Sequence, residues 1–284
     1  MALMNGARLG IAAQSVGISA AAYEEGLAYA KDRKQFGNEI INFPAVYDML
    51  AIMKAKLDAG RTLLYQTARY VDIYKCLEDI ERERKLTPEE RAELKKFSKL
   101  ADAFTPLSKG MNSEYANQNT YDCIQIHGGS GFMLEYACQR LYRDARITSI
   151  YEGTTQLQTV AAIRYVTNGF YGQVIADMLA ETEIAPEYAA LKARVEKMAE
   201  KYNAAVAKVD ELKDDEFKDF CSRHLYEMAA DTVMSILILG DATKRPDLFD
   251  NSARVYVRYA AAEVEKHSDF VADAQPADLA NYRK

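Results

Sequence analysis

The sequence has few of the residues that punctuate a chain or build small metal and disulfide frameworks. It contains only 14 glycines and 6 prolines among 284 residues, so turns should be few and the helices between them long. The four cysteines, which show no CxxC spacing, are Cys76, Cys123, Cys138 and Cys221. The three histidines form no cluster with acidic residues at ligand spacing. These scarcities predict neither a disulfide framework nor a metal site.

Positive charge and long apolar runs are also scarce. The formal net charge is −6, which argues against a nucleic-acid surface. The longest apolar stretch, residues 232–239, is far shorter than the ~20 residues that cross a bilayer. The first residues lack the basic, apolar and small-residue order of a signal peptide. We therefore expect a cytoplasmic protein with no membrane span and no nucleic-acid partner.

Helical periodicity is what the sequence has in abundance. Apolar residues recur at three- and four-residue spacing over 46–71, as in the core of a bundle. Thr87, followed by Pro88 and Glu90, predicts a helix start with a capping box. No segment alternates strictly over a length that predicts a strand.

These patterns predict an all-α protein in two parts. The first, residues 1–168, is expected to be an up-and-down helical bundle with helices over 1–31, 44–85, 87–127, 135–146 and 154–168. The second, residues 169–284, carries no catalytic motif and is expected to be a smaller helical domain with helices over 170–185, 186–212, 215–239 and 247–267. The tail from residue 272 is expected to be loosely held.

The segment richest in chemistry is Tyr-Glu-Gly-Thr-Thr-Gln, residues 151–156. Glu152 lies there in a tight connection between two predicted helices, the second capped by Thr154 or Thr155. A carboxylate among apolar neighbours in such a connection should be partly desolvated, which suits a general base. Taken alone, the same residues also fit an ordinary loop acid favoured by the helix dipole.

Two further stretches could approach an anionic cofactor. The first, Arg-Lys-Gln-Phe-Gly over residues 33–37, follows the first predicted helix, where an arginine could also simply compensate the helix dipole. The second, Gln-Ile-His-Gly-Gly-Ser-Gly over residues 125–131, ends the third helix and could equally be a glycine-rich helix stop.

Together these stretches resemble, in the same order, the signatures of the flavin-dependent acyl-CoA dehydrogenase family. Residues 151–156 are similar to its Tyr-Glu-Gly-Thr-(Ser/Asn)-x-x-Gln signature, and residues 33–37 to its Arg-x-x-Phe-Gly. Residues 125–131 resemble its Gln-x-x-Gly-Gly-x-Gly, and the segment from Asn5 to Arg8 matches the start of its C-terminal helical domain. The helices after residue 169 resemble the extra domain of the family's longer branch. One departure is Asn42-Phe43 before Pro44, where many members carry a flavin-contacting glutamine.

The resemblance implies α,β-dehydrogenation of an acyl-CoA thioester with FAD as the hydride acceptor. It implies that Glu152 removes the α-proton. The residues that would border the substrate are Asn5, Arg8, Tyr151 and Gly153. The residues that would contact FAD are Arg33, Gln35, Phe36, Gln125, Ile126, His127, Gly128, Gly129, Thr154, Thr155 and Gln156.

The resemblance also bears on partners and completeness. It implies electron-transfer flavoprotein as the electron acceptor and a homodimer or homotetramer as the assembly. The family's N-terminal helical domain and middle β-domain have no counterpart here. We therefore expect a piece of a longer protein that by itself binds flavin weakly and is inactive. The alternatives are an acyl-CoA oxidase, with the same base but oxygen as acceptor, and a non-catalytic helical scaffold.

Overall fold

Helices build almost the whole molecule. The computed structural model describes the backbone of residues 2–283 and the side chains of residues 6–283. Within that range the only strands are a two-residue antiparallel pair, β1 (Lys34–Gln35) and β2 (Asn38–Glu39), so the predicted all-α class is confirmed. The first five helices are α1 (Ala2–Asp32), α2 (Pro44–Glu83), α3 (Pro88–His127), α4 (Ala137–Thr148) and α5 (Thr155–Thr167).

The remaining helices follow with short connections. They are α6 (Phe170–Glu181), α7 (Ala189–Leu212), α8 (Asp215–Lys244), α9 (Pro246–Asp273) and α10 (Leu279–Tyr282). Short 3₁₀ turns occur at Ile40–Asn42, Gly128–Phe132, Pro186–Tyr188 and Pro276–Asp278. None of the helices between residues 2 and 283 is long and apolar enough to cross a membrane.

The junction between α2 and α3 forms as the sequence predicts. The Thr87 hydroxyl accepts the Glu90 N–H at 3.2 Å, and the Glu90 carboxylate accepts the Thr87 N–H at 2.8 Å. Arg84 donates two further hydrogen bonds to that carboxylate, at 2.8 and 2.6 Å. These contacts lower the pKa of Glu90 to about 2, with the Arg84 bonds as the largest cause. The capping box thus fixes the point at which the chain turns back.

One apolar core runs through the first and second halves of the chain. Leu63 of α2 and Phe104 of α3 belong to the same buried cluster as Tyr226 of α8. The Tyr226 hydroxyl donates to the Pro106 carbonyl at 2.9 Å, and a Cβ placed on Gly110 would lie 2.1 Å from that hydroxyl. Glycine at 110 therefore lets α8 approach α3 closely. The division at residues 168 and 169 is not marked by a break in this core and stays a prediction.

Several predicted helix ends are wrong. The helix predicted over 170–185 ends at Glu181, and the one predicted over 247–267 continues to Asp273. Packing explains two further differences. The predicted helix over 135–146 lies at Ala137–Thr148. Its β-branched end is retained because Thr148 is buried and donates to the Ala145 carbonyl at 2.7 Å. The helix expected to stop at 239 continues through Gly240 to Lys244. A Cβ at 240 would lie 2.9 Å from the Thr182 methyl group, so this glycine permits close packing and does not end the helix.

The expectation of a loosely held tail is also wrong. Ala274 and Leu279 are buried in the main core. The Lys208 ammonium donates to three carbonyls at the end of α9, those of Val271, Ala272 and Ala274. Burial and these hydrogen bonds anchor the segment after α9, so composition near a chain end was a poor guide to its packing.

Candidate functional site

Glu152 lies in the short connection between α4 and α5, as the sequence predicts. The N–H groups of Ile150 and Tyr151 both bond back to the Ile147 carbonyl, at 2.9 and 3.1 Å. Thr154, rather than Thr155, caps α5 by accepting the Leu157 N–H at 3.4 Å. Backbone bonds thus close the α4 end, and the threonine cap fixes the α5 start.

The turn itself has an unusual backbone. Glu152 has φ 55° and Gly153 has φ 94°, and holding a residue other than glycine in such a region costs about 1–3 kcal/mol. A side chain at 153 would also meet Gln158, whose amide nitrogen would lie 2.9 Å from the Cβ. The surrounding contacts therefore have to hold this turn in place.

Three side chains hold the turn by its carbonyl groups. The Glu152 carbonyl accepts from Arg8 Nε and from Gln158 Nε2, each at 3.3 Å. The Gly153 carbonyl accepts from Lys109 Nζ at 2.7 Å and from Gln158 Nε2 at 3.0 Å. The Tyr151 hydroxyl donates to the Gln14 side chain on α1. Three of the four predicted substrate residues, Arg8, Tyr151 and Gly153, therefore meet at the turn, while the side chain of Asn5 lies outside the described residues.

The Glu152 carboxylate is exposed to solvent, so the expected partial desolvation is wrong for the chain as the structure describes it. The apolar neighbours that were expected to cover it are themselves exposed, Ile150 at 42% and Leu157 at 54%. Ile147 at the end of α4 and Val160 in α5 are exposed as well. The carboxylate thus stands at the edge of an uncovered apolar surface.

A cleft of about 340 Å³ opens beside the turn. Its walls carry hydroxyl, amide and guanidinium groups and the Glu114 carboxylate. The guanidinium groups suit an anionic ligand. The lining residues are Glu114, Asn117, Arg146, Ser149, Ile150, Thr154, Thr155, Gln156 and Arg223. Three of them, Thr154, Thr155 and Gln156, were predicted as cofactor contacts from the sequence.

Glu114 and Arg223 are among the cleft residues that were missed, because they come from distant helices. Glu114 of α3 accepts the Thr155 hydroxyl at 2.5 Å. Arg223 of α8 lies 3.9 Å from the Glu114 carboxylate and 2.7 Å from that of Glu227. An ion-pair network from α8 therefore reaches the first residue of α5. Neither charge belongs to a local motif, so the sequence carried no signal for them.

Lys109 is another residue that the sequence analysis did not assign to the site. It is fully buried near the middle of α3, where a lysine is ordinarily a surface residue. Burial lowers its pKa to about 8, Arg8 adds to the lowering, and the Glu114 and Glu152 carboxylates oppose it. Lys109 therefore supplies an ammonium donor to the Gly153 carbonyl at an unusual energetic cost.

The other predicted cofactor residues lie towards the opposite end of α1. Phe36 and Gly37, with φ 50° and 82°, form a two-residue turn between β1 and β2, as in a type I′ hairpin. Phe36 is 87% exposed at its tip, and Arg33 and Gln35 are exposed beside it.

The glycine-rich stretch lies near that end of α1 as well. Tyr29 donates to Ser130 at 3.3 Å and stacks on the His127 ring at 4.1 Å. Gln125, Gly128 and Gly129 are exposed. Ile126 and His127 are buried, so a cofactor role for these two would fall to their backbone and stays a prediction.

The two groups of predicted residues therefore lie far apart. Arg8 contacts the Glu152 turn, whereas Tyr29 contacts the glycine-rich stretch. At about 1.5 Å per residue along α1, these contact points are about 30 Å apart. The residues within each group lie close together in the structure, but the two groups lie towards opposite ends of α1.

Two family descriptions together match nearly the whole chain. "Acyl-CoA dehydrogenase, C-terminal domain" matches residues 1–166, and "Acyl-CoA dehydrogenase C terminal" matches residues 167–279. Among curated relatives, the caffeyl-CoA reductase–Etf complex subunit CarC of Acetobacterium woodii is 38% identical over 53% of this chain. The probable acyl-CoA dehydrogenase FadE25 of Mycobacterium tuberculosis is 35% identical over 58%. The aligned parts are 34% and 36% of those proteins, about a third of their length.

Solved structures show the same fold over the full chain. An acyl-CoA dehydrogenase from Bacillus anthracis, solved with FAD, matches 99% of this chain and 51% of its own with a TM-score of 0.72 and 24% identity. ACDH-11 of Caenorhabditis elegans, solved with C11-CoA, matches 96% of this chain and 47% of its own with a TM-score of 0.68 and 20% identity. Both matches include the helices after residue 169.

Proposed function

The chain belongs to the acyl-CoA dehydrogenase family as a C-terminal portion, and on that premise we propose that it supplies the base for flavin-dependent α,β-dehydrogenation of an acyl-CoA thioester. The observation that carries the proposal is the turn at Glu152. Its carbonyls are tied inward by Arg8, Lys109 and Gln158, while its carboxylate is free to face a substrate.

In this mechanism the Glu152 carboxylate takes the α-proton of the thioester. The Glu152 N–H polarises the thioester carbonyl and stabilises the enolate that forms. The tied carbonyls limit movement of both groups, which favours a fixed distance between the base and the N–H donor. FAD, when bound, supplies the acceptor for the β-hydride.

The cleft beside the turn fits the polar part of such a cofactor. Arg146 and Arg223 supply cations that suit a diphosphate. Thr154 and Gln156 supply a hydroxyl and an amide next to the base. An apolar cleft, or one lined mainly by carboxylates, would not suit FAD. This cleft carries the hydrogen-bond donors and cations that an anionic cofactor needs.

The exposed apolar side chains on either side of Glu152 should be buried by other parts of the complete enzyme or by its substrate. Ile147, Ile150, Leu157 and Val160 are each between 42% and 59% exposed, and a patch of this kind marks an interaction surface. Covering these side chains with the acyl chain and the remaining domains would also exclude water from the carboxylate during the reaction.

The family resemblance implies that a second subunit completes each flavin site, and the distance of about 30 Å along α1 between the two groups of flavin residues is compatible with that arrangement. One subunit would then offer the Glu152 turn to its own flavin, and its hairpin and glycine-rich stretch to the flavin of a second copy. Electron-transfer flavoprotein is the proposed acceptor, because a relative sharing 38% identity is named as a subunit of an Etf complex.

The Glu152→Gln variant of the complete enzyme tests the assignment. We expect kcat to fall by roughly 10²–10⁴-fold, the usual loss when a general base is removed, with flavin content unchanged. Glu135→Gln, an exposed acid just before α4, is the matched control and should keep parental kcat. A Glu152→Gln enzyme with near-parental kcat would rule out this carboxylate as the base.

A further inference from the structure

The fold brings two cysteines and a histidine together, which no spacing in the sequence had indicated. Cys123 and His127 lie one turn apart on α3, and Cys138 is the second residue of α4. One donor atom from each residue lies within 4.8 Å of the other two. All three side chains are buried. The absence of CxxC motifs therefore did not exclude a cluster built from two helices.

We propose that Cys123, His127 and Cys138 bind a thiophilic metal ion of the Zn²⁺ type that fastens the end of α3 to the start of α4. Two thiolates and one imidazole are a donor set that zinc takes in proteins. Two thiolates also neutralise a divalent charge, so the bound site carries no net charge in its buried surroundings.

The distances are close to those of a zinc site. His127 Nδ1 lies 3.9 Å from Cys123 Sγ. Ligands about 2.0 and 2.3 Å from a tetrahedral zinc ion are about 3.5 Å apart. The Cys123–His127 pair is close to this separation, and no separation among the three donor atoms exceeds 4.8 Å, so binding the ion would draw the side chains together by no more than about 1 Å. In the free protein Nδ1 donates its hydrogen to the Cys123 carbonyl at 2.7 Å. Binding the ion through Nδ1 would break that contact and require the other neutral tautomer, with the hydrogen on Nε2. The Gly131 carbonyl, 3.5 Å from Cys138 Sγ, offers a fourth donor.

Metal binding would release two protons. A free cysteine is a thiol at neutral pH, so each ligand sulfur carries a proton before the ion binds. Each thiol loses one proton to solvent as its sulfur bonds the ion, and the imidazole binds through its neutral nitrogen. Affinity should therefore rise with pH.

The ion would brace the glycine-rich turn. The 3₁₀ turn Gly128–Phe132 lies between the two ligands on α3 and the one on α4. Gly131 already packs tightly on α3, because a Cβ there would lie 2.7 Å from the Ile124 carbonyl oxygen and 2.9 Å from the His127 Cβ. Fixing both ends of this turn would hold its exposed glycines in place.

The test is a Co²⁺ titration of the reduced, chelator-treated 284-residue chain. We expect one Co²⁺ per chain, a thiolate-to-cobalt charge-transfer band, release of two protons, and displacement by Zn²⁺. Because neither flavin nor activity is measured, the result does not depend on the proposed dehydrogenase function.

Matched variants assign the ligands. Cys138→Ala should lose the charge-transfer band, whereas Cys221→Ala, which removes a buried cysteine of α8, should keep it. If Cys138→Ala fails to fold, the parent titration still decides. Two results would overturn the proposal in favour of two buried thiols packed beside a neutral histidine. Either the parent chain shows no charge-transfer band, or the folded Cys138→Ala variant still shows it.

Discussion

At the scale of single residues, the Glu152 turn depends on a lysine that its surroundings disfavour. Lys109 is buried and its pKa is about 8, against an ordinary value of 10.5. Between these values the unfolded chain binds more protons than the folded one. The contribution of Lys109 to the free energy of unfolding therefore rises with pH across this window, and the cost of keeping the lysine charged is fully present below pH 8.

The Lys109→Met variant should remove this dependence. Relative to the variant, the parent should gain roughly 1–3 kcal/mol of unfolding free energy between pH 7.5 and 10.5, measured by urea denaturation at several pH values. The difference in unfolding free energy between parent and variant is used because the contribution of the tyrosines, which also titrate at high pH, is the same in both proteins. Lys95→Met, at an exposed position on the same helix, is the control. A constant difference between parent and Lys109→Met would show that the buried lysine is not the titrating group.

Residue-scale prediction succeeded where the controlling contacts are local. The Thr87 capping box and the Thr154 cap depend on residues within three positions, so the sequence contains them. The exposure of Glu152 and the roles of Lys109 and Arg223 depend on which distant helices pack alongside. No local pattern distinguishes a lysine on the buried face at 109 from a solvated one.

At the scale of helices, α8 contributes directly to the cleft. Arg223 lies between the carboxylates of Glu227 and Glu114, and Glu114 accepts the Thr155 hydroxyl. The sequence assigned no site residue to the helices after residue 169. Periodicity predicted that α8 exists, but the partner of each of its faces is set by tertiary packing.

The Arg223→Met variant of the complete enzyme should bind FAD about tenfold more weakly, a loss of ~1.4 kcal/mol. The substitution removes a cation from the cleft and leaves Glu114 without that neighbouring positive charge. Flavin release can be followed by the rise in its fluorescence. Arg194→Met, on the exposed face of α7, should leave FAD affinity unchanged. Equal affinity in parent and Arg223→Met would exclude a role for this arginine in cofactor binding.

At the scale of the whole molecule, the chain presents an incomplete site. The Glu152 carboxylate and the hairpin at Phe36 are both exposed. The points at which α1 contacts the Glu152 turn and the glycine-rich stretch are about 30 Å apart. A flavin bound to this chain alone would touch only one of these regions. Most of the enclosure that a tight cofactor site needs would have to come from elsewhere.

The purified 284-residue chain should therefore elute from gel filtration without flavin absorbance and should not dehydrogenate acyl-CoA. The complete enzyme, run in parallel, should retain its flavin. Stoichiometric flavin that co-elutes with the short chain would show that one of the two regions suffices. In the complete enzyme, comparing peroxide formation with electron-acceptor reduction would separate the oxidase alternative from the dehydrogenase.

The close approach of α8 to α3 at Gly110 has a consequence for how sequences in this family can change. Because Tyr226 fills the space that a side chain at 110 would occupy, the two positions should change together over evolution. A relative without a helix equivalent to α8 would have no such tyrosine and could accept alanine or serine at the equivalent of 110. Glycine at 110 together with tyrosine at 226 would then mark a relative in which these two helices meet equally closely.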